Sequence, residues 1–191
     1  PGKLRRVSNA RAKYKGVCLN DMLLTGPDLL ANLLGIILRF REKRYPLSAD
    51  IEAMYMQVSV RPEDRKFLRF LCGETDPQFF EYLRFVFGAK WSPTCAIFSL
   101  QTCADDHSEK HPHVRRIVRD HFYMDDLFVS TDTIQEAKSI IHDLRLVLAR
   151  GGFNLTNWVS NSPEILNDIP PDYRALSPDQ ILQTLQPQRI L

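Results

Sequence analysis

The sequence predicts an α+β domain, an antiparallel sheet backed by helices in a split β-α-β arrangement. Three observations predict it. Strand-length apolar runs alternate with helical patterns along the chain. Two of those runs, "KFLRFLC" and "FFEYLRFVFG", are separated only by residues 73–78, with turn signals from Gly73 to Pro77, and so read as a hairpin in the middle of the order strand, helix, strand, strand, helix, strand. The clearest amphipathic helix, with Ile134, Ala137, Ile141, Leu144 and Leu148 at helical spacing, is followed at once by the strand-like "FNLTNWV".

Each element has a local reason. Residues 1–26 are basic with turn signals and read as loop and short strands. In "GPDLLANLLGIILRFREK", Pro27 suits a first helical turn and Leu30, Leu33, Leu34, Ile37 and Leu38 share a face. "YPLSADI" and "MQVSV" read as a broken strand, with Pro62-Glu63-Asp64 as the following turn. "SPTCAIFSLQTCADD" reads as a helix with Ser92 as N-cap and Pro93 at its first position. In "HFYMDDLFVS" two apolar runs flank Asp125-Asp126, which fits two strands meeting at a tight turn where Asp tolerates the geometry. Thr133 and Glu136 form a capping box for the next helix, which Gly151-Gly152 ends. The Pro-rich tail from Ile169 takes no assignment.

Composition excludes several classes. The 191 residues suffice for one sizeable core, apolar and charged fractions of 44% and 25% are those of a globular chain, and no stretch approaches a membrane span. Cys18, Cys72, Cys95 and Cys103 are widely spaced without a Cys-x-x-Cys pair, which reads as reduced thiols in an intracellular, cytoplasmic setting. The sequon at Asn154 carries no weight there. A start at Pro1 suggests a piece of a longer protein. A net charge of +2 gives no argument for nucleic-acid binding by itself. Three local clusters could meet phosphates or simply be solvated: Lys3 to Lys15, Arg39 to Arg44, and Arg115, Arg116 and Arg119.

The acids between apolar strands need an explanation. Asp50 closes the strand-like "PLSAD", and a strand beside the hairpin would bring its carboxylate to Asp125 and Asp126. Three clustered carboxylates call for cations, and hard oxygen ligands select Mg²⁺ or Mn²⁺. Two such ions would serve phosphoryl transfer. The plainer reading of an Asp-Asp pair is a solvated turn, as for Asp105-Asp106.

Tyr123-Met124-Asp125-Asp126 resembles the Tyr-x-Asp-Asp hairpin of reverse transcriptases, and the family's other blocks accompany it. "SADIEAMYMQV" resembles the block of the first catalytic aspartate, "VFGAKWSPTCAIF" the Phe-Gly...Ser-Pro block, and "LARGGFNLTNWVSN" the block that closes the palm. The strings "LNDMLLTGPDLLANLLGIILRFRE" and "FNLTNWVSNSPEIL" are most similar to the Bel-Pao group of LTR retrotransposons, and similarity runs over nearly the whole chain.

The resemblance implies a polymerase palm with partial fingers and an RNA-directed DNA polymerase activity. Residues 1–45 would be partial fingers and a connecting helix, 46–168 the palm with a finger-side hairpin at about 62–88, and 169–191 a tail toward a missing primer grip and thumb. Asp50, Asp125 and Asp126 would be catalytic, and with the Ile51 carbonyl they would hold two Mg²⁺ ions, for which Mn²⁺ can substitute. Arg5, or Arg6 as the nearby alternative, would touch the incoming triphosphate, Tyr55 would exclude a 2′-hydroxyl, and Phe87 and Gly88 would line the nucleotide pocket. Tyr123 and Met124 would lie at the primer end. The implied partners are a primed RNA or DNA template, deoxynucleotides, and the protease, RNase H and integrase regions of a Pol polyprotein in a cytoplasmic particle, with no membrane. Each role has a plainer alternative: core packing for Tyr55, apolar filling for Met124, a solvated terminus for Arg5.

The chain also departs from the family pattern. Asn9 stands where an aspartate is usual, Ser8 where a bulky apolar residue is usual, and Asn157 where a lysine, a candidate proton donor, is usual. Asn9 and Asn157 favour an inactive remnant serving as a nucleic-acid-binding or scaffold domain; the intact Asp50, Asp125 and Asp126 oppose it. An RNA-dependent RNA polymerase is disfavoured, since such enzymes place an acid where Tyr55 stands. His107, His111 and His113 invite a zinc reading, but Pro112 and the lack of a further ligand favour a polar loop before the hairpin. Trp91 and Trp158 read as packing residues.

Overall fold

A computed structural model describes residues 8–175. In chain order the elements are α1 (Leu33–Phe40), β1 (Tyr45–Ile51), the single-turn α2 (Met54–Gln57), β2 (Arg69–Cys72), β3 (Gln78–Glu81), α3 (Ser92–His107), α4 (His113–Asp120), β4 (Phe122–Tyr123), β5 (Asp126–Thr131), α5 (Ile134–Leu148), β6 (Leu155–Ser160) and α6 (Pro163–Leu166). Among the described residues these form two compact units, 8–29 with 53–99 and 30–52 with 100–175, the division falling inside α3.

The second unit holds a four-stranded antiparallel sheet in the order β4-β5-β1-β6. β1 is one of its two inner strands, paired with β5 from Tyr45 opposite Thr131 to Asp50 opposite Asp126, and with β6 on its other edge. Helices α1 and α5 pack on β5, α4 on β4, and α6 on β6. The core is apolar as the spacing of α5 requires: Ala137, Ile141, Leu144 and Leu148 are buried with Leu47, Ile51, Leu127, Leu155 and Trp158. Each buried leucine or isoleucine among them contributes about 1.5–3 kcal/mol. Thr133 accepts a hydrogen bond from the Glu136 amide at 3.1 Å, and the Glu136 carboxylate accepts from the Asp132 amide rather than from Thr133, so the capping box is half formed. Gly152, at φ 80°, ends the turn that follows α5.

The first unit is built around the expected hairpin. β2 and β3 pair from Arg69 opposite Glu81 to Cys72 opposite Gln78, with Phe70 stacked on Phe80 and Arg69 in an ion pair with Glu81 at 2.8 Å. The unit's core includes Met54, Val60, Leu68, Phe85 and Val86, and Trp91 packs edge-on against Phe85.

Several local expectations are corrected. The first helix starts at Leu33 rather than near Pro27, because the Asn32 side chain caps it by accepting the Gly35 amide at 2.9 Å. "MQVSV" is strand-like only in its second half: Ala53 enters the left-handed region at φ 48° and the chain coils through α2, after which Val58 and Val60 bond to Phe85 and Leu83. Residues Pro62–Phe67 tighten into a 3₁₀ turn. Ser92 is the first residue of α3 and donates its hydroxyl to the Val86 carbonyl at 2.8 Å, so it is not a cap. The expected polar loop is found at residues 108–112, and α4 follows it before the hairpin, burying Val114, Ile117 and Val118 on one face. His111 and His113 both meet the buried Asp143 carboxylate, at 2.9 and 3.0 Å, while His107 ends α3. Among the described residues no helix is long and apolar enough to cross a membrane.

Candidate active site

The sheet of the second unit brings the predicted acids together. Ile51 donates its amide to the Asp125 carbonyl at 2.9 Å. Pairs alternate along an antiparallel ladder, so the next pair, Asp50 opposite Asp126, is of the non-hydrogen-bonded kind, whose facing Cα atoms lie about 4.5 Å apart with side chains close. Tyr123 pairs with Asp126, which leaves Met124 and Asp125 as a two-residue turn. Met124, not an aspartate, takes the left-handed conformation, at φ 56°, a cost of roughly 1–3 kcal/mol for a residue with a side chain. That turn exposes Asp125 beyond the end of the strand. The Ile51 side chain itself is buried.

The electrostatics follow from this crowding. Burial first, and then the charges of Asp125 and Asp50, push Asp126 up to about 6. Asp125 opens to solvent on one side, yet lost hydration raises its pKa, a hydrogen bond from its own amide opposes the rise, and the Asp50 charge adds to it. Asp50 is held from the other edge of the sheet. Its Oδ1 accepts from Thr156 Oγ1 at 3.1 Å and from Asn157 Nδ2 at 2.8 Å. Nothing in the sequence pattern pointed to this pair of donors, because it depends on how β6 meets β1.

Among the described residues, no three His, Cys, Asp or Glu side chains are gathered tightly enough to hold a metal ion. The acids share one end of the sheet without a closed ligand shell, as like charges do when only hydrogen bonds answer them. Their chemistry nevertheless fits a hard divalent cation: carboxylate oxygens of two adjoining strands, with two of the three acids shifted upward in part by their neighbours' charge.

The remaining predicted residues divide. Arg5 and Arg6 lie outside the described residues. Tyr55, Phe87 and Gly88 belong to the first unit, where the Tyr55 ring packs on Phe87 with centroids 4.8 Å apart. Gly88 is at φ 91°, and a Cβ there would lie 2.8 Å from the Ser8 carbonyl oxygen, so the close approach it permits is to the chain itself. Asn20 fastens this turn, donating to the Gly88 carbonyl and accepting the Lys90 amide, both at 2.9 Å. Tyr55 and Gly88 line a cleft of about 530 Å³, a size that takes a small ligand, together with Arg11, Lys13 and Lys90. The basic character of Arg11 and Lys13 was legible; their sharing a cleft with Lys90 was not.

Solved structures match the chain in fold, among them a foamy viral protease-reverse transcriptase in complex with double-stranded DNA, with a TM-score of 0.58 and 19% identity. That match covers 79% of this chain, which spans 23% of the viral protein. No curated protein matches the sequence. The family of reverse transcriptases (RNA-dependent DNA polymerases) matches over residues 4–157. The chain belongs to the reverse transcriptase family.

Proposed function

We propose that this chain is the palm and part of the fingers of a retroelement reverse transcriptase, an RNA-directed DNA polymerase that joins deoxynucleotides to a primer 3′-hydroxyl. The observation that carries the proposal is the pairing of Asp50 with Asp126 across β1 and β5, with Asp125 at the adjoining turn. Asp50 and Asp125, assisted by Asp126 and the Ile51 carbonyl, would hold two Mg²⁺ ions, or Mn²⁺ in their place, which when bound activate the attacking hydroxyl and stabilise the leaving oxygen. The second unit supplies the palm in this reading and the first supplies fingers. Tyr55, on Phe87, would set a wall against a 2′-hydroxyl, and Arg11, Lys13 and Lys90 give the cleft beside it a charge suited to a triphosphate. Tyr123 and Met124 would meet the primer end. A primed RNA or DNA template is the implied partner, in keeping with the DNA carried by the viral structure of like fold.

The Bel-Pao assignment, the adjoining protease, RNase H and integrase regions and the cytoplasmic particle rest on the sequence strings alone. Primer extension tests the activity, using the chain lengthened at both ends. Mg²⁺-dependent product is expected, reduced at least about a hundredfold by Asp125→Asn. No product from the wild type, or equal product from the variant, would overturn the proposal in favour of an inactive nucleic-acid-binding domain. In the same assay Tyr55→Ala should admit ribonucleotides. Unchanged sugar selectivity would remove its assigned role.

A further inference from the structure

Strand β6 does not run evenly beside β1. Leu47 faces Ser160 and Ser48 faces Val159, but Asp50 faces Thr156 and Ile51 faces Leu155, with the register shifting in between. Ala49 alone therefore stands opposite two residues, Asn157 and Trp158, which is a β-bulge on β6. Asn157 takes the left-handed conformation, at φ 52°, that such an inserted residue uses and that asparagine tolerates better than most residues with a side chain.

The bulge has a geometric result. In a regular strand Thr156 and Asn157 would point to opposite faces of the sheet. Here both reach Asp50 Oδ1, at 3.1 and 2.8 Å, while Leu155 and Trp158 on either side are buried. Trp158 anchors the distortion by donating its ring N–H to the Leu155 carbonyl at 3.2 Å. Two donors thus fall on one oxygen of one carboxylate, and neither uses Oδ2.

We propose that Asn157, brought across by the β6 bulge, is a positioning residue that with Thr156 fixes the Asp50 carboxylate for a divalent cation. The inference rests on the reading of Asp50 as a cation ligand. Pinning Oδ1 removes rotational freedom that binding would otherwise have to remove, and it keeps Asp50 turned toward its own sheet end despite the charges of Asp125 and Asp126.

The test is a titration of the metal-free chain with Mn²⁺, following the electron paramagnetic resonance signal of the free ion. Asn157→Gly keeps a backbone suited to positive φ and removes the side chain that donates to Asp50. It should weaken Mn²⁺ binding about tenfold while leaving the circular dichroism spectrum and unfolding midpoint close to wild type. Thr156→Val should act in the same direction, and the double variant should lose more than either. Asp50→Asn is the reference. If the wild type binds no Mn²⁺, or if Asp50→Asn binds as the wild type does, the underlying reading fails and this inference with it. If Asp50→Asn abolishes binding but Asn157→Gly and Thr156→Val bind unchanged, only the positioning role is overturned.

Discussion

Asp126 sits opposite one carboxylate and next to another, and its raised pKa has a definite effect on stability. The folded chain holds this proton up to about pH 6, whereas an unfolded aspartate releases it near 3.8. The contribution is therefore favourable below about pH 4 and is lost as pH rises toward 6, so ionised Asp126 weakens the fold at neutral pH. Asp126→Asn should raise stability at pH 7 in chelator by about 1–2 kcal/mol, after discounting for its partial solvent access, and flatten the change between pH 4 and 6. Urea denaturation at the two pH values measures this; an equal pH dependence in both proteins would count against the charge crowding. At this scale the acids were legible because charge inside apolar runs is unusual and the motif spacing is specific. The left-handed turn residue was misread, since Asp is the more tolerant type and only the pairing of Tyr123 with Asp126 shows Met124 taking that place. Asn157 stands out in the sequence only as a departure from the family pattern; its reach to Asp50 was not legible, because a bulge exists only in the register of two strands.

Elements with a strong period and a cap were read well, and those whose signal is spread over charges were not. α5 carries Thr133 at its start, and Gly152 ends the turn that follows it. α4 carries a weak signal, because only Val114, Ile117 and Val118 are apolar in a segment crowded with arginine, whereas the loop before it, residues 108–112, is legible from its polar residues and Pro112. His111 and His113 turn out to fasten the approach to α4 onto α5. Both meet Asp143, whose side chain is only 10% exposed. Asp143→Ala should cost about 1–3 kcal/mol by leaving two ring nitrogens without their partner, seen as a lower urea midpoint with an unchanged slope. A midpoint equal to wild type would show that the two contacts add nothing to stability.

At the scale of the molecule, the antiparallel sheet with packed helices was predictable from element order, whereas the division into two units was not, because each unit draws on two separate stretches of chain. This has a direct consequence for dissection. β5 and β6 do not pair with each other; each pairs with β1. A fragment of residues 100–175 therefore contains most of the second unit but lacks the strand that joins its halves. It should show no cooperative unfolding transition by circular dichroism, and a peptide of residues 30–52 added in trans should restore one. A sharp transition in the fragment alone would show that α5 and its neighbours suffice without β1.

The place of β1 between β5 and β6 also sets an order of events during synthesis. Roughly 75 residues separate Asp50 from its facing strand, so at about 5–20 residues per second the ribosome takes roughly 4–15 s to deliver β5 after making β1. For that interval a nascent strand with apolar side chains waits with both edges open, the condition in which a chaperone's cover protects a strand from pairing with another chain.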